Sequence, residues 1–363
     1  MSKPKEYPVV GKPFFAWKYE EQTQMKHKVL GAYSKIWISK LGSRSNTLFF
    51  DCHGGCGAYI NEDSSISYGS SLIVKQIADE VCQKRKHITG IYYCEKKKKY
   101  YDNYLKVKND IGDPRIATYN ECFEDVIRNP SVIKYYSNYP TLFLVDPFGY
   151  NFDISVLSGL MNGFGNEIIV NFMFDYISRF LSLDSVENAL NIFFGTDEWK
   201  SAVTLSGEKR EEFLVNLFKK QLKLKTGAKF VFPYRLCYPD KDQTYYYLFH
   251  ATNHIDGITL MKDAFSSLNN GRVQYLGKNN NDFTFFDLDF IKADEIYKSF
   301  LSTRKGSRIS VKDMWLLIVE DTAYTQKDLN KALVELEQTG KINVTRVTSK
   351  WGSYKEKDVI NII

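Results

Sequence analysis

Short apolar runs recur along the first half of this chain, and polar stretches with helical spacing separate them. The strongest runs show no alternation of apolar and polar positions. Continuous apolar runs of this length are typical of strands that are buried on both faces of a sheet. Five strands are predicted, over residues 47–51, 89–95, 115–120, 141–146 and 167–172.

Amphipathic segments fill the intervals between these runs. The first repeats apolar side chains at four-residue spacing, as on one face of a helix, and Ser70 or Ser71 is a suitable N-cap for the second. Helices are predicted over residues 17–41, 72–86, 96–110, 121–129 and 152–163. Because strands that alternate with helices favour a parallel sheet with right-handed crossovers, we expect a Rossmann-like α/β fold.

The stretch from about residue 175 to 225 is charged and helical in pattern. A minimal sheet domain has no counterpart to it, so we predict a helical insertion. Two later strands, over 229–234 and 244–250, are expected to close the sheet, at least one of them antiparallel, before a further helix. An Asn-rich loop over 276–282 then marks the approach to a domain boundary.

The second domain is predicted to span residues 286–363, after a first domain of residues 1–285. It begins with a linking helix. A helix over 310–319, a second helix capped by Thr325, and two strands around a basic turn follow. This is the layout of a winged helix, a module that holds DNA or contacts another protein, and the sequence leaves both roles open.

Composition narrows the class of protein without deciding its function. The net charge of +6 gives only mild attraction to polyanions. The six cysteines contain no Cys-x-x-Cys pair, and His250 and His254 are expected on a strand end and a loop, so no metal site is predicted. Without an apolar leader or a run of about 18 apolar residues, we expect a cytoplasmic protein that does not bind membranes.

The chemistry concentrates where predicted strands end. The first strand ends in Asp51-Cys-His-Gly-Gly-Cys-Gly57, a glycine-rich turn that lets a ligand lie against bare backbone. The spacing is similar to the turn of S-adenosylmethionine (SAM)-dependent methyltransferases. The residues that would contact the methionine part of the cofactor are Asp51, His53, Gly55 and Gly57.

Two further strand ends extend this candidate site. Glu95 is placed to accept hydrogen bonds from ribose hydroxyls, as an acid does in nucleotide-binding sheets, or it is a solvated strand-end acid. Asn120 is placed either to meet the edge of the adenine or to cap the helix over 121–129.

The fourth strand ends in Asp146-Pro-Phe-Gly149, followed by Tyr150. Amino-group methyltransferases carry a similar motif, in which an acid or amide orients the target amine and an aromatic ring stacks on the base. Asp146 is therefore the candidate that orients the acceptor, with Phe148 or Tyr150 against it. The alternative is a turn that only shapes the exit of the strand.

Taken in order, these motifs resemble the three-Cys-motif partner family, a methyltransferase-like group. The resemblance spans roughly residues 15–270 and includes further motifs at Lys26-His-Lys, Asn171-Phe-Met, Phe194-Gly and Tyr247-Leu-Phe-His-Ala-Thr-Asn-His254. It implies a Rossmann-like fold and a partner, a radical-SAM-like protein with a cysteine motif. His53 and Cys56 replace the usual Phe and Pro of the glycine turn.

Two functions are consistent with this sequence, besides the third possibility that the site binds another nucleotide. The first is a SAM-dependent methyltransferase that acts on nucleic acid. The second is a non-catalytic scaffold that keeps the sheet, docks the radical-SAM-like partner and holds nucleic acid through the winged helix. Occupancy of the glycine turn by the cofactor distinguishes them.

Overall fold

The computed structural model describes residues 4–83, 86–112, 116–238, 241, 243–268, 293–347 and 349–363. The strands are β1 (Glu6–Pro8), β2 (Phe15–Lys18), β3 (Thr47–Asp51), β4 (Ala58–Ile60), β5 (Ile66–Tyr68), β6 (Thr89–Cys94), β7 (Ile116–Tyr119), β8 (Thr141–Val145), β9 (Glu167–Phe172), β10 (Phe230–Cys237), β11 (Thr244–Thr252), β12 (Arg308–Ser310), β13 (Ile342–Thr345) and β14 (Val359–Ile362). The predicted Asn-rich loop and the predicted domain boundary lie outside the described residues.

The α-helices are α1 (Glu21–Leu41), α2 (Ser70–Cys82), α3 (Lys98–Asp110), α4 (Phe123–Arg128), α5 (Pro130–Asn138), α6 (Phe174–Phe180), α7 (Glu187–Phe194), α8 (Gly207–Thr226), α9 (Ile255–Leu268), α10 (Ala293–Ile296), α11 (Val311–Ile318) and α12 (Gln326–Gln338). Short 3₁₀ turns lie at Ile154–Leu157, Leu160–Asn162, Asp184–Val186, Glu198–Thr204 and Ser302–Arg304, and Tyr297–Leu301 forms a π-helical turn.

A seven-stranded sheet forms the centre of the molecule, with the strand order β10-β11-β9-β8-β3-β6-β7. Only β11 runs against the other strands of this sheet. The predicted mixed α/β fold with a parallel-rich sheet is confirmed, as is its closure by an antiparallel strand. Numbered along the chain, the strands have the order 3-2-1-4-5-7-6, which reverses direction beside the first strand as in a doubly wound sheet.

Successive side chains of the central strands enter two different hydrophobic cores. Leu142 and Leu144 of β8 belong to the core beneath α1, α2 and α9, whereas Phe143 and Val145 belong to the core beneath α4 and α6–α8. This follows from the two-residue period of a strand. Burying each of these side chains stabilises the fold by about 1.5–3 kcal/mol, which explains why every position of β8 after Thr141 is apolar.

Several predicted boundaries were wrong. Residues 15–18 form strand β2, so the first helix begins at Glu21 rather than at residue 17. Neither Ser70 nor Ser71 is an N-cap, because α2 begins at Ser70 after Gly69.

The predicted helix over 121–129 corresponds to α4, whereas α5, which Pro130 starts after the N-cap Asn129, was not predicted. The predicted helix over 152–163 differs from the structure. It is a pair of 3₁₀ turns, separated where Gly159 takes a left-handed conformation with φ of +85°. The stretch predicted as a helical insertion contains α6, α7 and α8.

A small four-stranded sheet, β1-β2-β4-β5, was not predicted. Its strands have three or four residues each, too few to show a hydrophobic period. It inserts β4 and β5 between the glycine turn and α2, and it brings Trp17 of β2 against Gly55.

The C-terminal unit packs α11 and α12 on a three-stranded antiparallel sheet of order β12-β14-β13. Thr325 caps α12 as predicted, in a reciprocal pair of hydrogen bonds with Asp328. The unit is docked on the first: Trp315 Nε1 donates to Thr259 Oγ1 over 2.8 Å, and Glu320 accepts from the backbone amide of Val231 in β10. In the described ranges, no helix is long and apolar enough to cross a bilayer.

Candidate active site at the carboxyl ends of the parallel strands

Asp51, the last residue of β3, is a completely buried carboxylate. Its Oδ2 accepts hydrogen bonds from the Ser70 hydroxyl and, at 3.1 Å, from the Ser71 amide at the start of α2. Its Oδ1 has no partner among the described residues. Burial raises the pKa of Asp51 to about 7, against the lowering effect of Ser70. The side chain therefore ties the strand to α2 and keeps one oxygen for a further donor.

The glycine turn is shaped by backbone conformation and by aromatic packing. Gly55 and Gly57 have φ of +66° and +81°, which a residue with a side chain rarely adopts. A Cβ atom at Gly55 would lie 2.8 Å from the Trp17 ring, and one at Gly57 would lie 2.5 Å from the Tyr104 ring. The packing of these rings thus requires glycine at both positions, whether or not a ligand binds.

Glu95 follows β6 and reaches back to the glycine turn. One of its oxygens accepts from the Gly55 amide at 3.1 Å and the other from the Lys97 amide at 2.7 Å. Burial raises the pKa of Glu95, while these two amides act in the opposite direction. Because each carboxylate oxygen can accept two hydrogen bonds, the side chain can still receive two hydroxyl donors.

Asn120 holds the backbone at the end of β6 and is not the helix cap that was one of its two predicted roles. Its side-chain amide donates to the carbonyls of Glu95 at 2.8 Å and Lys96 at 3.2 Å. It caps no helix, because α4 begins at Phe123 after Cys122. Asn120 therefore fixes the backbone that carries Glu95.

His53 lies in an aromatic setting between the ends of β3 and α4. Its ring centroid is 5.4 Å from that of Phe123 and 6.4 Å from that of Phe152. Burial lowers the pKa of His53 to about 4, so the imidazole is neutral near pH 7. Its Nδ1 is buried and has no hydrogen-bond partner within the described part of the chain.

The structure joins Asp146 to two residues that the sequence did not assign to the site. Asp146 Oδ2 accepts from Lys26 Nζ of α1, and its Oδ1 accepts from Asn171 Nδ2 of β9 at 2.5 Å. Burial opposes ionisation, but Lys26 and Asn171 outweigh it and hold the pKa of Asp146 below its usual value. Asn171 Oδ1 is buried and unpaired among the residues described.

A neutral histidine lies next to this ion pair. His27 is buried, and its Nδ1 is 2.9 Å from the hydroxyl of Tyr19. Burial, and then the neighbouring Lys26 ammonium, lower the pKa of His27 to about 3. Lys26 is thus the cation that balances Asp146.

Phe148 and Tyr150 form an aromatic surface beside Asp146. Phe148 is 41% exposed, and its ring meets that of Tyr176 edge-on at a centroid distance of 5.7 Å. The Tyr150 ring lies 5.6 Å from the same Tyr176. Gly149 has φ of +68°, a left-handed conformation that glycine adopts freely, so the exit of the strand is also a turn.

The site residues fit the polar half of a SAM molecule. Glu95 has free lone pairs at the end of β6, and unpaired polar atoms of Asp51 and His53 lie at the end of β3. Each unpaired buried polar group costs about 1–3 kcal/mol, so a ligand that supplied partners would gain that amount. No cluster of three metal-binding side chains occurs in the described part of the chain.

Lys26 and Asn171 were missed as site residues because their partner is distant in sequence. Lys26 is 120 positions from Asp146. Both residues belong to motifs that carry the family resemblance, Lys26-His-Lys and Asn171-Phe-Met, and Lys26 also lies on the apolar stripe of α1, where a solvated charge is not expected.

Similar solved structures share little sequence with this chain. A Legionella pneumophila protein is 11% identical, with a TM-score of 0.41 over 69% of this chain and 93% of that protein. A spermidine synthase bound to AdoDATO is 10% identical, with a TM-score of 0.38 over 73% and 71%. The plantazolicin methyltransferase BamL, bound to SAH, is 10% identical, with a TM-score of 0.31 over 64% and 87%.

Likeness at this level carries no argument about function. No protein-family model matches the sequence, and no curated protein matches it. The case for a function therefore depends on the geometry of the site.

Proposed function

We propose that this chain is a SAM-dependent methyltransferase whose cofactor lies across the ends of β3 and β6. The observation that carries this proposal is the position of three of the eight buried side-chain polar atoms that lack partners among the described residues, Asp51 Oδ1, His53 Nδ1 and Asn171 Oδ1. All three belong to residues at the carboxyl edge of a parallel sheet, where ligands bind in open α/β folds.

The cofactor would be held mainly by carboxylates. Glu95 would accept from the ribose hydroxyls, and Asp51 and His53 would contact the amino-acid end, with Gly55 and Gly57 beneath it. Bound SAM would supply a methyl group on a positively charged sulfur. Asn120 would act indirectly, through the Glu95 backbone.

Asp146 would orient the methyl acceptor. Lys26 and Asn171 fix both carboxylate oxygens, and each oxygen retains capacity to accept one more N–H. Phe148 and Tyr150 would flank a planar acceptor. Methyl transfer depends on alignment and on charge placement more than on strong acid–base catalysis, and this rigid, ionised carboxylate suits that task.

Nucleic acid is the acceptor class that we propose. The C-terminal unit, interpreted as a winged helix, would hold it through the turn between β13 and β14. That turn contains Arg346, Lys350 and Lys355, and Trp351 there is 63% exposed.

Calorimetric titration with SAM tests the cofactor assignment. Glu95→Gln should weaken binding about tenfold, because one ribose acceptor and the negative charge are lost. Glu121→Gln is the matched control, since Glu121 is an exposed acid just after the neighbouring strand β7. Equal affinity in all three proteins would refute the role of Glu95.

A non-catalytic scaffold is the second candidate, and the aromatic cover of the glycine turn favours it. Trp17 and Tyr104 contact Gly55 and Gly57, and Tyr93 lies against Gly54. These rings could be the permanent occupants of the turn. A folded protein that binds no SAM at millimolar concentration would support this candidate, together with docking of a radical-SAM-like partner.

A further inference from the structure

A cleft of about 890 Å³ lies at the start of α1. Its walls are the start of α1, the turn that joins β4 to β5, and Tyr238 at the end of β10. The cleft is large enough for an extended side chain or a small flexible molecule. None of the residues assigned to SAM above lines it.

The charge of the lining is strongly negative. Four carboxylates face one ammonium group, that of Lys18, which lies 3.5 Å from Glu20. Glu20 and Glu21 stand at the start of α1, where acids also balance the helix dipole. Glu62 and Asp63 lie on the opposite wall in a hairpin turn, so that explanation does not apply to them.

The amide of an otherwise buried side chain reaches the same cleft. Gln22 lines the cleft and is only 7% exposed as a whole residue. Its backbone carbonyl accepts from the Tyr246 hydroxyl. Its side-chain amide has no hydrogen bond to any residue that the structure describes and is not among the buried atoms without a partner, so it is open to the cleft, where a ligand could pair with it.

Aromatic rings complete the site. Tyr19 and Tyr238 line the cleft, and the Tyr19 ring packs against Tyr59 at a centroid distance of 5.0 Å. The Lys241 ammonium lies 4.3 Å from the centroid of the Tyr238 ring, so a cationic ligand would use the other face of this ring or displace Lys241. Tyrosine faces attract ammonium and guanidinium groups.

We propose that this cleft binds an organic cation, an ammonium or guanidinium group on a flexible chain. Carboxylates from two walls would neutralise it, tyrosine rings would cover its stem, and the Gln22 amide would accept its N–H. The cation could come from a free polyamine or from a basic peptide segment. This binding does not depend on the proposed methyl transfer.

Calorimetry of the full chain with two probes, spermidine and a tri-lysine peptide amide, tests the proposal at low and high salt. We expect at least one probe to bind with submillimolar affinity that salt weakens. The double variant Glu62→Gln, Asp63→Asn should weaken binding at least fivefold. Lys18→Gln should strengthen it two- to fivefold, a change that damage to the fold would not produce.

The double variant Glu208→Gln, Glu212→Gln on α8 is the matched control, because it removes the same charge from exposed positions outside the cleft. Binding of spermidine alone would assign the cleft to a free polyamine, and binding of the peptide would assign it to a basic segment of another protein. Failure of both probes to bind the wild-type chain, or equal losses in both double variants, would overturn the proposal.

Discussion

Two carboxylate clusters lie at opposite ends of the central strands, and they differ in how many hydrogen bonds the chain itself supplies to their oxygens. At the start of β9, Glu167 accepts from Tyr33, from His250 Nε2 at 2.8 Å and from Thr252 Oγ1 at 3.1 Å, and its side chain is 7% exposed. At the other end of the strands, the Asp146 side chain is 21% exposed.

The difference separates a structural cluster from a candidate site. Both Glu167 oxygens accept hydrogen bonds from the chain itself, which fixes the fold at this end, although Nδ1 of His250 in the same cluster has no partner among the described residues. Near Asp146, the oxygens Asp51 Oδ1 and Asn171 Oδ1 have no partners in the described ranges, although both strands are equally buried. A ligand that supplies hydrogen-bond partners to such atoms at a sheet edge gains the most binding free energy.

We expect the largest loss of stability from a substitution of Glu167. Glu167→Ala should lower the free energy of unfolding by about 3–5 kcal/mol, because it leaves three buried donors without an acceptor. Urea unfolding measures it, with the exposed Glu121→Ala as control. A loss below about 1 kcal/mol would mean that the cluster does not stabilise the fold.

A buried lysine of α9 holds the two units together. Lys262 is fully buried and donates to the carbonyls of Val319, Thr322 and Tyr324, above the Phe232 ring. Lys262→Met should cost about 2–4 kcal/mol and expose the junction to protease, because three carbonyls lose their donor.

Lys305→Met, at an exposed position of the C-terminal unit, is the control for that variant. Unchanged stability and unchanged proteolysis after Lys262→Met would show that docking does not depend on this ammonium.

Near Asp146, we expect a substitution to change activity more than stability. Asp146→Ala should reduce transfer of label from [methyl-³H]SAM to total nucleic acid at least a hundredfold, because the acceptor loses its orienting oxygen. SAM affinity should stay within a few-fold. Equal transfer by the variant and the wild type would remove Asp146 from the mechanism.

The smallest effect concerns pH. His27 has a folded-state pKa of about 3 and an unfolded value near 6.5, so below pH 6.5 the unfolded state binds a proton that the folded state does not. Stability should therefore fall by about 2 kcal/mol from pH 6.5 to 5 on account of this residue.

Asp51 acts in the opposite direction over the same pH range, since its folded-state pKa is raised to about 7. The free energy of unfolding of the wild type must therefore be compared with that of His27→Gln. Between pH 6.5 and 5, the variant should lose about 2 kcal/mol less of this free energy than the wild type does. Parallel pH profiles of the two proteins would show that His27 is not kept neutral by the fold.

The sequence predicted the central sheet well because each long strand is buried on both faces, which leaves a continuous apolar run. It also placed Asp51, Glu95 and Asp146 correctly at strand ends. It could not predict β1, β2, β4 and β5, whose strands are too short to carry a period. The role of Lys26 also could not be predicted, because it depends on a tertiary ion pair with a residue 120 positions away.

The most direct test is a crystal structure of the chain with S-adenosylhomocysteine. We expect the ligand across the ends of β3 and β6, with its ribose on Glu95 and its amino-acid end within hydrogen-bond distance of Asp51 or His53. A ligand bound elsewhere, or a protein that excludes it while Trp17 and Tyr104 stay against the glycine turn, would contradict the proposed cofactor site.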